Sequence, residues 1–94
     1  METEKEKKIL EIFKALSCKA RLDIVVGLIE HQECNVGKMA EKLGIPQPNV
    51  SQHLTVLKNA GIIEGFRNGT QICYKVVDDL TKTIINALDI KCSK

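Results

Sequence analysis

Between residues 3 and 16 the apolar positions Ile9, Ile12, Phe13 and Leu16 recur at spacings of three and four. One stripe at that spacing predicts an amphipathic helix with its other side in water. Ser17 is expected to cap a second helix over residues 18–31. There Leu22, Val25, Val26 and Ile29 share one side while Ile24 and Leu28 point elsewhere. A helix apolar on most sides is central and must be covered by its neighbours. Gly27 within it is expected to mark a close approach of another helix. Asn35 suits the cap of a short third helix, residues 36–43, with Met39, Ala40 and Leu43 inward. Gly44 ends it, since glycine takes the left-handed conformation cheaply, and Ile45 plugs the turn. Pro46 and Pro48 bracket the start of a fourth helix, where first-turn amides lack an intrahelical partner anyway, and Gly61 closes it.

The hydrophobic period then falls from about 3.6 to 2. Residues 62–67 and 70–77 are β-prone runs flanking Asn68 and Gly69, a strong hairpin signal. Ile72, Tyr74 and Val76 alternate with Gln71, Cys73 and Lys75, which predicts one inward face. Asp78 or Asp79 caps a last helix in which Leu80, Ile84, Leu88 and Cys92 fall on one i,i+4 line. The expected fold is mainly α with a small β-hairpin, in the order ααααββα, as a single domain over residues 1–94.

A short helix, a glycine-containing turn and a second helix make the helix-turn-helix pattern. The fourth helix carries two contrasting faces. Val50, Leu54 and Leu57 cluster within about 60° at 3.6 residues per turn. Opposite them stand Pro48, Ser51, Gln52, Thr55 and Asn59, short and uncharged. Amides and hydroxyls of that size read base edges in a major groove wide enough for one helix. A merely solvated face more often carries lysine and glutamate, as the first helix here does. Gln47 and Asn49 flank this face at its amino-terminal end, and Lys58 borders it near the other. Arg67, Asn68 and Thr70 at the hairpin tip, with Lys75 behind, suit phosphate contacts beside the groove. Turn chemistry alone accounts for Asn68 and Gly69, which leaves Arg67 the better functional residue. His53 sits between the faces, more in the manner of a packing or orienting histidine than of a base contact or ligand.

Composition agrees. The 94 residues allow one core, and with only Phe13, Phe66 and Tyr74 aromatic that core is aliphatic. A small aliphatic core gains from burying further surface in a dimer. The formal charge is +2, yet between residues 36 and 76 Lys38, Lys42, Lys58, Arg67 and Lys75 face only Glu41 and Glu64, a local +3. The four cysteines, Cys18, Cys34, Cys73 and Cys92, form no C-x-x-C pair, and no apolar run is long enough to span a membrane. Reduced thiols in a cytoplasmic protein are the expectation. No Ser/His/Asp, Cys/His or phosphate-loop arrangement suggests an enzyme.

The segment FKALSCKARLDI (13–24) resembles the opening of the ArsR/SmtB repressors. LGIPQPNVSQHL (43–54) is similar to their helix-turn-helix, and LKNAGII (57–63) to the segment that follows. The resemblance runs from about Phe13 to Val77. It implies a winged helix-turn-helix, with residues 36–60 the helix-turn-helix and 62–77 the wing. It also implies a homodimer through the first and last helices, residues 1–16 and 79–92. Such a dimer acts as an operator-binding repressor that an effector releases, and its operator is an imperfect inverted repeat of double-stranded DNA. Gln47, Pro48, Asn49, Ser51, Gln52, Thr55, Lys58, Asn59, Arg67, Asn68 and Thr70 are the expected DNA contacts. Pro46 stands where the family usually has Ser or Thr, so one capping hydroxyl is missing.

The sensory half is nearly silent. Many family members bind metal through two cysteines at the start of the third helix; in register, this chain has Asn35 and Gly37 there, with Cys34 one position away. The last helix lacks the histidine of the family's other metal site. His31, Glu33 and Cys34 remain as candidate ligands, against the plainer reading of an exposed helix end with a histidine near its negative pole. Cys92 resembles in position the last-helix cysteine of thiol sensors in the family, whose partner position is Val26 here. Cys18, near a helix amino terminus, is the other thiol candidate. No cofactor and no metal are predicted, and a metal or thiol effector stays open. Two other readings stand beside the repressor: a winged-helix protein-interaction module without DNA binding, and a thiol- or redox-responsive regulator using Cys92, Cys18 or Cys34.

Overall fold

The computed structural model of the chain describes residues 3–31 and 34–90. Its elements are α1 (Glu4–Leu16), α2 (Lys19–His31), β1 (Cys34–Asn35), α3 (Val36–Leu43), α4 (Gln47–Asn59), β2 (Ile63–Asn68), β3 (Gln71–Val76) and α5 (Asp79–Leu88). The expected order of four helices, a hairpin and a closing helix is present. The short strand β1 is an addition that periodicity did not signal, because two residues carry no period.

Local chemistry sets the boundaries. Thr3 and Glu6 form a reciprocal capping box at α1, the Glu6 N–H donating to Thr3 Oγ1 at 3.1 Å. Ile12, Ala15 and Leu16 enter the core, whereas Phe13, expected on the same stripe, is exposed beside Leu10. Ser17 does not cap α2. Its hydroxyl donates backward to the Lys14 carbonyl at 2.7 Å, closing α1, and Cys18 precedes the first turn of α2 instead. As expected, α2 is central: Ile24, Val25, Val26 and Leu28 are all buried. Among the described residues nothing lies within 4 Å of a β-carbon built on Gly27, so this glycine serves no close helix approach among them.

Asn35 caps α3 by accepting from the Lys38 N–H at 2.8 Å, and Gly44 ends it in the left-handed region at φ 69°. Pro46 precedes α4 without a side-chain cap. At the far end the Ile62 N–H donates to the Leu57 carbonyl, and the Ile62 carbonyl accepts from Val77 and Asp78. One residue thus ties the end of α4 to both the hairpin root and the start of α5.

The sheet order is β1-β3-β2, antiparallel throughout, with β3 central. Register pairs Asn68 with Gln71, so the loop is residues 69–70 and not Asn68-Gly69. Only Gly69 has positive φ there, at 68°, the pattern of a II′ loop with glycine first. The inward face of β3 also differs from simple alternation. Val76 is buried and Tyr74 half-buried, but Ile72 is exposed and Cys73 is buried. Cys73 lies between Asn35 on one side and Phe66 on the other, a flanking that exists only because β1 adds a third strand. Asp78 caps α5, its carboxylate accepting from both the N–H and the hydroxyl of Thr81 at 2.8 Å. The core is aliphatic, as composition implies, with Ile12, Val25, Leu28, Val50, Leu57, Ile62 and Ile63 at its centre.

Candidate nucleic-acid interface

Helix α4 separates its faces as the sequence predicts. Val50, Leu54 and Leu57 are buried, while Gln47, Pro48, Asn49, Ser51, Gln52, Thr55, Lys58 and Asn59 are all exposed. His53 is half-buried between the faces. Burying three aliphatic side chains at helical spacing fixes the roll of α4 about its axis, so the polar face is held outward by the core. Thr55 is not free to donate: its hydroxyl already gives its proton to the Ser51 carbonyl at 3.0 Å. It can still accept a hydrogen bond or offer its methyl to a thymine. Asn59 differs from its neighbours. It also lines a cleft of about 310 Å³ with Glu11, Lys14 and Arg21, on the α1 side of the helix.

Arg67 and Asn68 close β2 and Thr70 sits in the loop, all exposed. Behind them the Lys75 ammonium lies 5.5 Å from the centroid of the Phe66 ring, a cation–π contact that holds this charge close to the hairpin. Across the hairpin Gly65 faces Tyr74, and a β-carbon on Gly65 would stand 3.0 Å from the tyrosine ring.

Two residues that sequence reading left without a joint role meet at the hairpin. The Asn35 side-chain amide donates to Gln71 Oε1 at 2.8 Å, while its oxygen caps α3. Asn35 is legible as a cap, but Gln71 carries no signal beyond its place in an alternating strand.

The sensor candidates are scattered. His31 is exposed in the last turn of α2. Glu33 and Cys92 lie outside the described residues, as does the side chain of Cys34. Among the described residues no three His, Cys, Asp or Glu groups come together as a metal site. Cys73 is buried. Cys18 is half-buried, and its thiol is held below the ordinary value. The main cause is the Arg21 backbone N–H directed at it; burial opposes this, and the Ala20 N–H and the Arg21 charge add to it. No described helix is long and apolar enough to cross a membrane.

Comparison with known proteins gives a consistent picture. Residues 18–64 match the family described as bacterial regulatory protein, arsR family. An uncharacterized HTH-type transcriptional regulator of Methanocaldococcus jannaschii is 43% identical over 92% of this chain and 97% of its own length. The HTH-type transcriptional repressor SmtB of Mycobacterium tuberculosis is 43% identical over 72% of this chain, which spans only half of that protein. The crystal structure of the transcriptional repressor BigR from Xylella fastidiosa superposes with a TM-score of 0.79 at 38% identity, covering 87% of this chain and 83% of that one.

Proposed function

The chain belongs to the ArsR family of bacterial regulatory proteins, and on that premise we propose that it is a cytoplasmic, homodimeric transcriptional repressor that binds an inverted-repeat operator. Its family and fold are those of non-enzymatic transcriptional regulators. The observation that carries the reading is the outward face of α4: mostly hydrogen-bonding, uncharged and exposed, opposite a helix side locked in the core. Placed in a major groove, Pro48, Ser51, Gln52 and Thr55 meet base edges, flanked by Gln47, Asn49 and Asn59. Lys58, Arg67, Asn68 and Thr70 hold the phosphate backbone. Residues 36–60 act as the reading unit and residues 62–77 as the wing.

Dimerisation through α1 and α5 is supported by what these helices leave uncovered. Leu10 and Phe13 on α1 are each 52% exposed, Leu88 at the end of α5 is 58% exposed, and Leu80 and Ile90 are exposed as well. Residues 1–16 and 79–92 are the dimer helices of this reading. Two copies of α4 about one helical turn of DNA apart then require two half-sites.

The test is a titration of reduced protein against DNA from its own promoter, alongside random DNA, with Gln52→Ala and Arg67→Ala. Tight, salt-sensitive binding is expected for the parent. Gln52→Ala should lose roughly 1–3 kcal/mol on the operator and relax specificity at one position, and Arg67→Ala should weaken all sequences alike. Equal loss on operator and random DNA for Gln52→Ala contradicts its assignment. No preference over random DNA overturns the repressor and favours a protein-interaction module.

A thiol-responsive form of this regulator would act through Cys18, which is half-buried at the start of α2 with the Arg21 and Ala20 backbone N–H groups directed at its sulfur. Repeating the titration with an oxidant or persulfide donor, and separately with zinc or arsenite, assigns the effector class. Release by the thiol reagent that is lost in Cys18→Ser is the expected result for that form.

A further inference from the structure

The hairpin is supported unevenly along its length. Among the described residues, β1 pairs with β3 at Cys34–Tyr74 and Asn35–Cys73. Beyond Cys73 the wing continues as two strands alone, through Arg67–Ile72 to Asn68–Gln71, with Ile72 exposed. A two-stranded ribbon is marginally stable in water. Yet this outer part carries Arg67, Asn68 and Thr70.

Asn35 extends the support past the end of its own strand. On β3, Gln71 lies two residues from Cys73, the register partner of Asn35, and so is its diagonal neighbour on the same face. The Asn35 amide crosses that diagonal and donates to Gln71 Oε1 at 2.8 Å. Gln71 belongs to the last ladder pair before the loop. The same side chain accepts from the Lys38 N–H and so fixes the first turn of α3. Its oxygen also lies 3.5 Å from where a β-carbon on Gly37 would stand, with Gln47 Nε2 of α4 3.7 Å from the same point. The first turn of α3 and the outer wing therefore converge on one amide.

We propose that Asn35 is a positioning residue for DNA binding: through Gln71 it braces the outer wing against the helix-turn-helix, so that Arg67, Asn68 and Thr70 approach the backbone in register with α4. It touches no DNA itself. The proposal rests on the DNA-binding reading for its purpose, but the brace exists in the free protein and is measurable there.

The variants are Asn35→Ser, which keeps a capping hydroxyl but cannot reach Gln71, Gln71→Ala, which keeps the cap intact, and the two combined. Asn35→Asp is the rescue, since the Gln71 amide can turn to donate to a carboxylate. Two readouts are taken: amide hydrogen exchange over residues 67–72 in the free protein, and operator affinity. Each single variant should speed exchange in the wing and weaken operator binding roughly two- to tenfold, the range of one net hydrogen bond. The double variant should be no worse than either single, and Asn35→Asp should restore both readouts. Additive losses would mean that Gln71 contacts DNA on its own, and overturn the proposal. Unchanged wing exchange in Asn35→Ser and Gln71→Ala overturns it too. A parent that fails to prefer its operator sinks the DNA-binding reading, while the exchange arm still decides whether the brace exists.

Discussion

The Arg21 Nε donates to the backbone carbonyl of Ala15 at 2.8 Å, from the first turn of α2 back to the last turn of α1. Helix carbonyls at a C-terminus have no intrahelical donor, and Ala15 is 3% exposed, so water does little to satisfy this one. With the Ser17 hydroxyl on the neighbouring Lys14 carbonyl, this contact fixes the corner between the helices. Arg21→Ala should destabilise the fold by ~1–3 kcal/mol, the cost of leaving a largely buried acceptor unpaired. Thermal and urea unfolding measure it, and a fall of several degrees in Tm is expected. Arg21→Lys should recover part of the loss, because lysine donates but lacks the planar, side-on N–H of the guanidinium. A Tm unchanged in Arg21→Ala would show that the corner is held by packing alone.

The same turn gives a pH prediction. Ionised Cys18 accepts from the Arg21 N–H, so folding favours the thiolate and its pKa lies below the ordinary thiol value. The stability from this group is present above the unfolded thiol pKa and lost as pH falls through the lowered, folded one. The stability difference between the parent and Cys18→Ser should therefore widen in the parent's favour as pH rises through the alkaline thiol range, and stay flat below it. In a Cys34→Ser/Cys92→Ser background, iodoacetamide should alkylate Cys18 with a midpoint below that of a free thiol, and leave buried Cys73 intact until unfolding. Alkylation of Cys18 with an ordinary thiol midpoint would contradict the geometry.

Much of this was legible in the chain because period and punctuation agree. Gly44 and the Asn35 cap bound α3 as expected, and the three-and-four spacing of Val50, Leu54 and Leu57 sets the roll of α4 and thereby its outward face. What escaped depends on contacts distant in sequence. Phe13 fits the apolar stripe of α1, but periodicity cannot distinguish a face turned to this chain's own core from one left for a second copy. Asn68-Gly69 is a favourable turn pair, yet register moves the loop one residue on, since Asn68 continues the ladder opposite Gln71. Cys73 looks outward by alternation and is buried because a strand 38 residues earlier covers its flank. The Asn35–Gln71 brace spans 36 residues between two polar side chains, a pairing for which sequence offers no period at all.

Two glycines should respond oppositely to alanine. Gly27 lies inside α2 with nothing among the described residues within 4 Å of its missing β-carbon. Gly27→Ala should stabilise by ~0.5–1 kcal/mol through helix propensity, read as a higher Tm. Gly65 is crowded: a β-carbon would stand 3.0 Å from Tyr74 Cε2 and 3.4 Å from Ile72 Cγ2. Tyr74 packs against the core, so its ring has little room to yield. Gly65→Ala should cost about 1 kcal/mol, since overpacking outweighs the gain from replacing a strand glycine. A stabilising Gly65→Ala would show that the tyrosine ring moves aside freely.

The exposed apolar side chains of the terminal helices supply the test of assembly. Phe13 and Leu88 are each more than half exposed, so a glutamate at either position should cost the isolated fold little, within about 0.5 kcal/mol. In a two-fold dimer the same change acts twice, because an isologous interface presents each residue on both copies. A carboxylate desolvated there without a partner is costly. Phe13→Glu and Leu88→Glu should each shift the protein from dimer to monomer in light scattering at micromolar concentration, with the helical circular dichroism retained. Operator binding should fall far more than binding to random DNA, since two linked half-sites are lost while each monomer keeps its local charge. The parent Tm should also rise with protein concentration, and the variants' should not. Variants that stay dimeric would place the interface elsewhere and leave the exposed faces of α1 and α5 to a different partner.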